Sequence, residues 1–258
     1  MDLGLTGKVA LVSGGSRGIG RAIVNQLAHE GCNVIAVSRS ESEYTRSLAE
    51  LGVATGRKVV SCLADLSTLE GVNTAIACAE SEFGCLDILV NNAGDTRRGN
   101  FLELTEADWH EGYALKFFGY VRMVRAAWPM LKKSGNGAIV NVIGVSARTP
   151  EEDYTIGVSV NAGLYAFTKS MAAAGTNDNI RVNAVNPGVI ETDRLREAIG
   201  RMDMAEDQAR DELLKRLRTP RFGKPENIAD MVCFLVSPKA EYIQSSIIDV
   251  DGGRTRGL

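Results

Sequence analysis

The sequence is poor in the residues on which several common kinds of active site depend. Only two histidines, His29 and His110, are present among 258 residues, so a His-rich metal site and a Ser-His-Asp hydrolase are both disfavoured. The five cysteines are scattered and form no C-x-x-C pair; they are Cys32, Cys62, Cys78, Cys85 and Cys233. We therefore expect reduced, mostly buried thiols and no metal site.

The sequence also lacks a strong excess of charge and a long apolar run. The formal net charge is −3, so no basic field points to nucleic acid or to an anionic membrane. No stretch approaches the roughly 18 apolar residues of a membrane span, and the start, Met1-Asp2-Leu3-Gly4-Leu5, has no basic region typical of a signal peptide. These absences predict a cytoplasmic protein that binds neither nucleic acid nor membrane.

Glycine is abundant by contrast, and short β-branched runs alternate with stretches of helical spacing. The 27 glycines indicate many turns or a close approach of the backbone to a ligand. This alternation predicts βαβ units, and strands that are apolar throughout predict a sheet covered on both faces. We therefore predict one α/β domain over 1–258, with a doubly wound, seven-stranded parallel sheet. The predicted strands are 9–12, 34–37, 59–63, 88–90, 138–143, 180–185 and 247–250.

The segment 193–222 interrupts this alternation. It is highly charged and contains Met202 and Met204, so we predict an inserted helical flap that covers the substrate, between the sixth and seventh strands. Its basic residues are matched by a similar number of acids. The flap therefore argues neither for nor against an anionic substrate.

A glycine-rich segment, here called the glycine turn (residues 13–20), follows the first predicted strand and precedes a helix predicted over 21–29. Gly14 permits a tight turn, while Gly18 and Gly20 let the backbone approach a pyrophosphate. The N-terminus of the helix adds N–H donors and a positive dipole. This context favours a dinucleotide site over an ordinary glycine-containing turn.

The end of the second predicted strand bears on which dinucleotide binds. An acid there would hydrogen-bond the ribose 2′-OH of NAD, but the strand ends Val37-Ser38-Arg39-Ser40. Arg39, together with Arg17, is suited to a 2′-phosphate. The alternative is that both arginines are solvated loop residues. We therefore favour NADP(H) over NAD(H) as the cofactor.

These motifs resemble those of the short-chain dehydrogenase/reductase family over nearly the whole chain. The glycine spacing is that of the family, and Asn91-Asn92-Ala93-Gly94 follows the fourth strand. The segments 180–188, 221–226 and 250–253 complete the set. The resemblance implies a Rossmann-type sheet, hydride transfer between a nicotinamide cofactor and a small-molecule substrate, and a homotetramer or homodimer. The cofactor contacts that it implies are Gly14, Ser16, Arg17, Gly18, Ile19, Gly20, Ser38, Arg39, Asp65, Leu66, Asn92, Ala93, Gly94, Pro187, Gly188, Val189 and Thr192.

Other residues occupy the four positions of the family's Asn-Ser-Tyr-Lys tetrad. In the family, the Tyr-x-x-x-Lys step precedes a stretch similar to 167–170, and this spacing puts Gly157 at the Tyr position and Asn161 at the Lys position. Gly144 stands at the Ser position after the fifth strand, and Lys116 stands at the position of the helical Asn. The resemblance therefore implies a divergent member in which Lys and Asn have exchanged places.

Tyr165 and Lys169 themselves form a Tyr-x-x-x-Lys, but they lie eight residues beyond the family register. A Tyr and a Lys at this spacing coincide easily by chance. We therefore expect Tyr165 to pack on a neighbouring helix or subunit rather than to donate a proton.

Lys116 is a lone cation in an apolar run, and Gly112 and Gly119 are expected to clear space beside it. Burial would lower its pKa and suit it to proton transfer or to stabilising an oxyanion. The alternative is a lysine that extends along the helix surface to water. The exchange with Asn161 would keep one ammonium and one amide at the site.

Two hydroxyl groups complete the predicted catalytic set of Lys116, Tyr154, Asn161 and Ser146. The segment 149–153 contains a Pro and acids typical of a first helical turn, so a helix begun by Tyr154 would place its ring in the space left by Gly157. Packing of Tyr154 in a loop or interface, or a role for Asp153 instead, are the alternatives. Ser146 is either a substitute hydroxyl or a solvated loop residue.

Three kinds of function remain open from the sequence. The favoured one is an NADP(H)-dependent oxidoreductase with rearranged acid–base groups, acting on a carbonyl, alcohol, imine or enone. Another is a protein that binds the cofactor without turnover, as a sensor or an assembly subunit. The third is a non-redox lyase or isomerase that uses Lys116 as a base.

Overall fold

A computed structural model describes residues 2–256, which form one seven-stranded parallel sheet in the order β3-β2-β1-β4-β5-β6-β7. All seven predicted strands are confirmed, and their ends differ from the predictions by no more than two residues. The strands are β1 Val9–Ser13, β2 Asn33–Ser38, β3 Val59–Leu63, β4 Ile88–Asn91, β5 Gly137–Val142, β6 Ile180–Pro187 and β7 Ile247–Val250.

Helices connect the strands and lie on both faces of the sheet. The helix predicted over 21–29 begins earlier, at Gly18, directly after the extended backbone of Arg17. A π-helix, Tyr113–Phe118, joins α5 to α6. The α-helices of the described residues are α1 Gly18–His29, α2 Glu43–Arg46, α3 Leu48–Thr55, α4 Leu69–Phe83, α5 Glu106–Gly112, α6 Gly119–Ser134, α7 Thr155–Gly175, α8 Asp193–Gly200, α9 Glu206–Leu217 and α10 Pro225–Val236.

Alternate residues of each strand enter different halves of the core. In β1, Val12 packs with Ile23 of α1 and Ile228 of α10, whereas Leu11 packs in the layer that contains Met123 of α6. The side-chain period of two in a strand produces this division. The prediction of a sheet covered on both faces is therefore confirmed.

The order of the strands creates a crevice at the carboxyl ends of the central strands. β1 and β4 are neighbours, and the connection after β1 leads to β2 on one side while the connection after β4 leads to β5 on the other. Ligands of such sheets bind beyond the carboxyl ends of the strands at this switch point. The glycine turn after β1 and residues 92–96 after β4, here called the β4 turn, lie at this crevice.

The segment 193–222 contains α8 and α9, as predicted. The two helices share a small apolar core that is separate from the main sheet; its buried members are Leu195, Ile199, Ala209, Leu213 and Phe222. Arg210 pairs with Glu191, and Arg194 pairs with Asp95 of the β4 turn. The helical content of the flap is thus confirmed, while its role over the substrate stays a prediction.

Two further observations concern residues 2–256 as a whole. None of their helices is long and apolar enough to cross a membrane. Their five cysteines are free thiols, of which Cys32, Cys62 and Cys233 are buried.

Candidate active site

The glycine turn forms a cradle of exposed backbone. Gly14 and Gly18 have φ values of +67° and +54°, which side-chain-bearing residues rarely adopt. A Cβ added at Gly20 would overlap the carbonyl oxygen of Gly14, and one added at Gly14 would lie 2.9 Å from the Cα of Ala93. Since α1 begins within this turn, its unpaired N–H groups and its dipole are available there. The cradle therefore fits a pyrophosphate.

Ser13 ties the glycine turn to the β4 turn. Its Oγ accepts the backbone N–H groups of Asn92 and Ala93 at 2.8 and 3.0 Å. The Asn92 side chain donates in return to the carbonyl oxygens of Ser13 and Gly14, at 3.0 and 3.2 Å. The sequence analysis missed Ser13, although a polar residue at the end of an otherwise apolar strand is a usable signal at a switch point.

The residues predicted to choose the dinucleotide lie at the ends of β2 and β3. Arg17 and Arg39 are exposed, whereas Ser38 is buried and donates to the carbonyl of Ser40 at 3.0 Å. Asp65 accepts the backbone N–H of Ser67 at 3.0 Å, and its pKa is lowered chiefly by hydrogen bonds from Ser67 and less by the charge of Arg39. Arg39 and Asp65 are both exposed at this end of the sheet, and the charge of Arg39 acts on the Asp65 carboxylate.

The segment after β6 closes the other side of the crevice. A Cβ at Gly188 would lie 2.7 Å from the Cα of Asp251, so the turn needs glycine to pass the end of β7. Thr192 precedes α8, and a Cβ at Gly18 would lie 3.2 Å from its methyl group. Thr192 therefore faces the glycine turn, and its contact with the cofactor stays a prediction.

Lys116 lies in the π-helix Tyr113–Phe118, and its Nζ donates to the carbonyl oxygen of Ile143 at 2.6 Å. It points into the molecule, so it does not extend along the helix surface to water. Burial lowers its pKa to about 7; the charge of Arg194 lowers it further, and that of Asp95 opposes the change. Single π-turns within helices occur frequently at functional sites.

Gly94 of the β4 turn makes the room for Lys116. A Cβ at Gly94 would lie 2.8 Å from the Cδ of the lysine, so backbone packs directly on its stem. The prediction that Gly112 and Gly119 clear this space is wrong, since a Cβ at Gly112 would instead meet Ile156 at 2.6 Å. That prediction assumed α-helical spacing, and the π-turn changes which residues share a face with Lys116.

The ring of Tyr154 occupies the space beside Gly157. A Cβ at Gly157 would overlap the ring, and Thr96 Oγ1 donates to Tyr154 Oη at 2.7 Å. The predicted helix start is wrong, because α7 begins at Thr155 and Glu152–Tyr154 is a separate 3₁₀ turn. The ring nevertheless reaches over Gly157, and its role as a proton donor stays a prediction.

Arg98 holds the opposite side of Tyr154. Its guanidinium carbon lies 4.1 Å from the centroid of the tyrosine ring, a cation–π contact. The same guanidinium pairs with Glu151 and Asp153, each at 2.9 Å. The Asp153 carboxylate is thus engaged with Arg98 at the surface, and it is Tyr154 that covers Gly157.

Asn161 and Ser146 form a buried pair next to Gly144. The Asn161 Nδ2 donates to Ser146 Oγ at 2.7 Å, and a Cβ at Gly144 would lie 3.2 Å from the same nitrogen. Ser146 is only 6% exposed, so its interpretation as a solvated loop residue is wrong. The Asn161 Oδ1 is buried and has no partner among residues 2–256. Such an orphaned acceptor fits a hydroxyl donor of a bound molecule.

Three of the four predicted catalytic residues, Lys116, Asn161 and Ser146, thus meet at the start of the loop after β5, here called the β5 loop (residues 143–154), and Tyr154 stands at its end. Lys116 binds it at Ile143, from the helix on one side. Asn161 binds it at Ser146, from α7 on the other side. An ammonium and an amide therefore reach the same short segment from different helices, as the exchange of Lys and Asn suggested.

Tyr165 and Lys169 do not form a pair. Tyr165 Oη lies 3.4 Å from the carbonyl oxygen of Gly144, whereas the exposed Lys169 donates to the carbonyl oxygen of Ser245. Burial raises the pKa of Tyr165 to about 12, which makes its hydroxyl a weak acid. Tyr165 packs against the β5 loop of its own chain.

Comparison with known proteins agrees with this geometry. Residues 14–255 match the family model described as enoyl-(acyl carrier protein) reductase. The 3-oxoacyl-[acyl-carrier-protein] reductase of Staphylococcus aureus is 35% identical over 249 residues, which are 95% of this chain and 97% of the relative. That of Vibrio cholerae is 35% identical over 254 residues, which are 97% and 98% of the two chains.

A solved structure matches the whole fold. It is the crystal structure of L-sorbose reductase from Gluconobacter frateurii complexed with NADPH and L-sorbose, which covers 100% of both chains with a TM-score of 0.95 and 33% identity. The match over the full length includes the sheet, the crevice and the flap. The chain therefore belongs to the short-chain dehydrogenase/reductase family and is an oxidoreductase of that kind.

Proposed function

We propose that the protein is an NADP(H)-dependent oxidoreductase that acts on a small carbonyl, alcohol, imine or enone with a rearranged acid–base site. The observation that carries the proposal is the hydrogen bond of Lys116 Nζ to the carbonyl oxygen of Ile143. It occurs beside the cradle formed by the glycine turn, in which Gly14, Gly18 and Gly20 are all present. The NADPH bound by the sorbose reductase, and the reductase activity that the relatives' names state, support it.

The cofactor would be held by groups from several turns. The glycine turn and the start of α1 would bind the pyrophosphate, and Arg17 and Arg39 the 2′-phosphate. Asp65 would lie near the adenine, and the free Asn161 Oδ1 would accept a ribose hydroxyl. When bound, the nicotinamide supplies or accepts the hydride, while the protein supplies orientation and electrostatics.

Lys116 would move the proton that accompanies the hydride. An ammonium has three N–H groups, and one of them is used by Ile143. The remaining two are free for a substrate oxygen or nitrogen. In the reductive direction the ammonium donates a proton, and in the oxidative direction the neutral amine takes one. A pKa of about 7 suits both directions near neutral pH.

Tyr154 and Ser146 would orient the substrate. If Thr96 donates to Tyr154 Oη, the tyrosine hydroxyl is free to donate to the reacting oxygen. Ser146 accepts from Asn161, and its own proton is therefore also free to be donated. Each hydroxyl adds a hydrogen bond to the charge that develops on that oxygen.

The flap would cover the substrate and exclude water. The support is the ion pair of Arg194, on α8, with Asp95 of the β4 turn. Both charges act on the pKa of Lys116, so the pair lies close to the proposed proton donor.

We also propose that the protein is cytoplasmic and forms a homodimer or homotetramer. The exposed side chains of Phe101 and Phe118 offer apolar surface for contact between subunits.

Incubation with NADPH and a panel of ketones, imines and conjugated enones tests the proposed activity. The expected result is loss of NADPH absorbance with at least one substrate class. Tight binding of NADPH without consumption by any member of the panel would contradict redox turnover. The substrate class that is consumed also identifies what the site accepts.

Replacement of Arg39 by Gln is expected to weaken NADPH binding by roughly 10-fold or more while leaving NADH binding unchanged. A hydrogen bond to a charged group contributes about 1.5–3 kcal/mol, and only NADPH carries the 2′-phosphate. Fluorescence titration with both cofactors measures the change. Arg46→Gln, at an exposed arginine of α2, is the matched control. Equal losses for the two cofactors would contradict the role of Arg39.

A further inference from the structure

Behind the β5 loop lies a polar cluster that the mechanism above does not use. Asn186, at the end of β6, is fully buried; its Nδ2 donates to Asp249 Oδ1 of β7 at 2.7 Å and also to Tyr165 Oη. An ionised carboxylate only accepts hydrogen bonds, so the amide nitrogen must face Asp249. Asn186 Oδ1 therefore points to the β5 loop. On the solvent side, Arg148 pairs with Asp249 at 3.0 Å.

The cluster binds both backbone polar groups of Gly144. The N–H of Gly144 donates to Asn186 Oδ1, and Tyr165 Oη donates to the carbonyl oxygen of Gly144, each at 3.4 Å. Gly144 has a φ of +134°, a conformation that residues with a side chain rarely adopt. Two side chains from β6 and α7 thus hold this glycine in a conformation that depends on its lack of a Cβ.

One peptide group connects this cluster to Lys116. The N–H of Gly144 and the carbonyl of Ile143 belong to the same planar peptide. Its N–H faces Asn186, and its oxygen accepts Lys116 Nζ at 2.6 Å. Hydrogen bonds in a chain polarise one another. Because the Gly144 N–H donates to Asn186 Oδ1, the carbonyl oxygen of Ile143 in the same peptide becomes a stronger acceptor for Lys116.

We propose that Asp249 and Asn186, acting through the Ile143–Gly144 peptide, and Tyr165, acting through the adjoining carbonyl of Gly144, are positioning residues for Lys116. They fix the orientation of the Ile143–Gly144 peptide. Because Lys116 Nζ donates to the oxygen of this peptide, its position is fixed as well. The inference rests on the proposed role of Lys116 in proton transfer. It adds a set of residues from α7, β6 and β7 that touch neither the cofactor cradle nor the reacting atoms.

The consequence is a defined effect on the charge state of Lys116. A weaker acceptor at Ile143 stabilises the ammonium less, so loss of the cluster lowers the pKa of Lys116. The other charges that face this lysine are Arg194 of α8 and Asp95 of the β4 turn. Neither contacts the cluster, and both remain in the variants below.

Asp249→Asn tests the inference with almost no change in side-chain volume. The readout is the pH dependence of Lys116 acetylation by acetic anhydride in the cofactor-free protein, measured by mass spectrometry of the peptide. The midpoint is expected to fall by at least about half a pH unit, as one link of a polarised hydrogen-bond chain is weakened. The pH at which kcat/KM breaks is expected to move in the same direction.

Arg148→Gln is the matched control: it removes the outer partner of Asp249 and a guanidinium 5.8 Å from the Tyr165 ring centroid, and it leaves the Asp249–Asn186 bond and the Tyr165 hydroxyl in place. Its Lys116 midpoint is expected to equal that of the parent. Tyr165→Phe removes one hydroxyl from the cluster and is expected to produce a smaller fall than Asp249→Asn. It also keeps the test decisive if the aspartate variant does not fold.

An unchanged midpoint in folded Asp249→Asn, or an equal fall in Arg148→Gln, would overturn the inference. The acetylation readout needs no turnover and therefore separates two failures. If Lys116→Met retains activity, the proposed role of Lys116 in proton transfer fails while the midpoints still test the cluster. If Lys116→Met is inactive and the midpoints do not move, only the inference about the cluster fails.

Discussion

Lys116→Met is expected to lower kcat by about 10²–10⁴-fold while NADPH still binds, because it removes the proposed general acid. Methionine keeps an unbranched apolar stem for the space between Gly94 and the β5 loop, so the local packing is retained. Steady-state kinetics and a cofactor titration on the same preparation measure the two effects separately. A kcat within about fivefold of the parent, far smaller than loss of a general acid, would exclude Lys116 as the proton donor.

Lys169→Met is the matched control for that experiment. Lys169 belongs to the one Tyr-x-x-x-Lys of the sequence, yet its ammonium is exposed and donates to Ser245. We expect near-parental kcat for this variant. A large loss at Lys169 with little loss at Lys116 would show that the shifted pair, and not the exchanged lysine, performs the chemistry.

Tyr154→Phe is expected to lower kcat by about 10²-fold, at the lower end of what one hydrogen bond to the charge developing on the reacting oxygen contributes. The phenylalanine ring still fills the space over Gly157 and still stacks on Arg98, so only the hydroxyl and its bond to Thr96 are lost. The measurement is kcat on the best substrate, with thermal unfolding to verify that stability is retained.

Tyr242→Phe serves as the control for this change, since Tyr242 is fully exposed. A Tyr154→Phe rate within about twofold of the parent, against the roughly 10²-fold expected from loss of a hydrogen bond to the reacting oxygen, would assign Tyr154 to packing alone. Thr96→Val is a second test of the same hydroxyl. It removes the hydrogen-bond partner of Tyr154 Oη and keeps the tyrosine hydroxyl itself, so we expect a smaller loss of kcat than in Tyr154→Phe.

The sheet and the cofactor cradle could be predicted because their signals are local. Each strand is a continuous apolar run, and Gly14, Gly18 and Gly20 are spaced within one turn. The placement of Tyr154 over Gly157 was also accessible, because three residues separate them. Even there, the helix start was wrong by one residue, since a 3₁₀ turn carries the tyrosine.

The surroundings of Lys116 could not be predicted in the same way. The π-turn breaks the spacing on which the expectation for Gly112 and Gly119 depended, and the glycine that makes room for the lysine is Gly94, from another turn. The burial of Ser146 was missed because its partner, Asn161, lies on the following helix. Such contacts depend on how elements pack, which no local pattern records.

Gly144 shows what a comparison of single positions with the family pattern leaves out. In the sequence, Gly144 stands where the family has the serine of its tetrad. The structure adds that its φ is +134° and that its N–H and carbonyl are bound by Asn186 and Tyr165. A serine placed there would be strained by the backbone. The position is therefore adapted to a backbone role, which is consistent with a site rebuilt around Lys116.

The pH dependence of kcat/KM in the reductive direction tests the central claim most directly. A general acid must carry its proton, so the account predicts a plateau at low pH and a fall of about tenfold per pH unit above the Lys116 pKa of about 7. In the oxidative direction the profile should rise through the same pH. A reductive profile that stays flat until the pH nears the ordinary tyrosine pKa of about 10 would contradict the account.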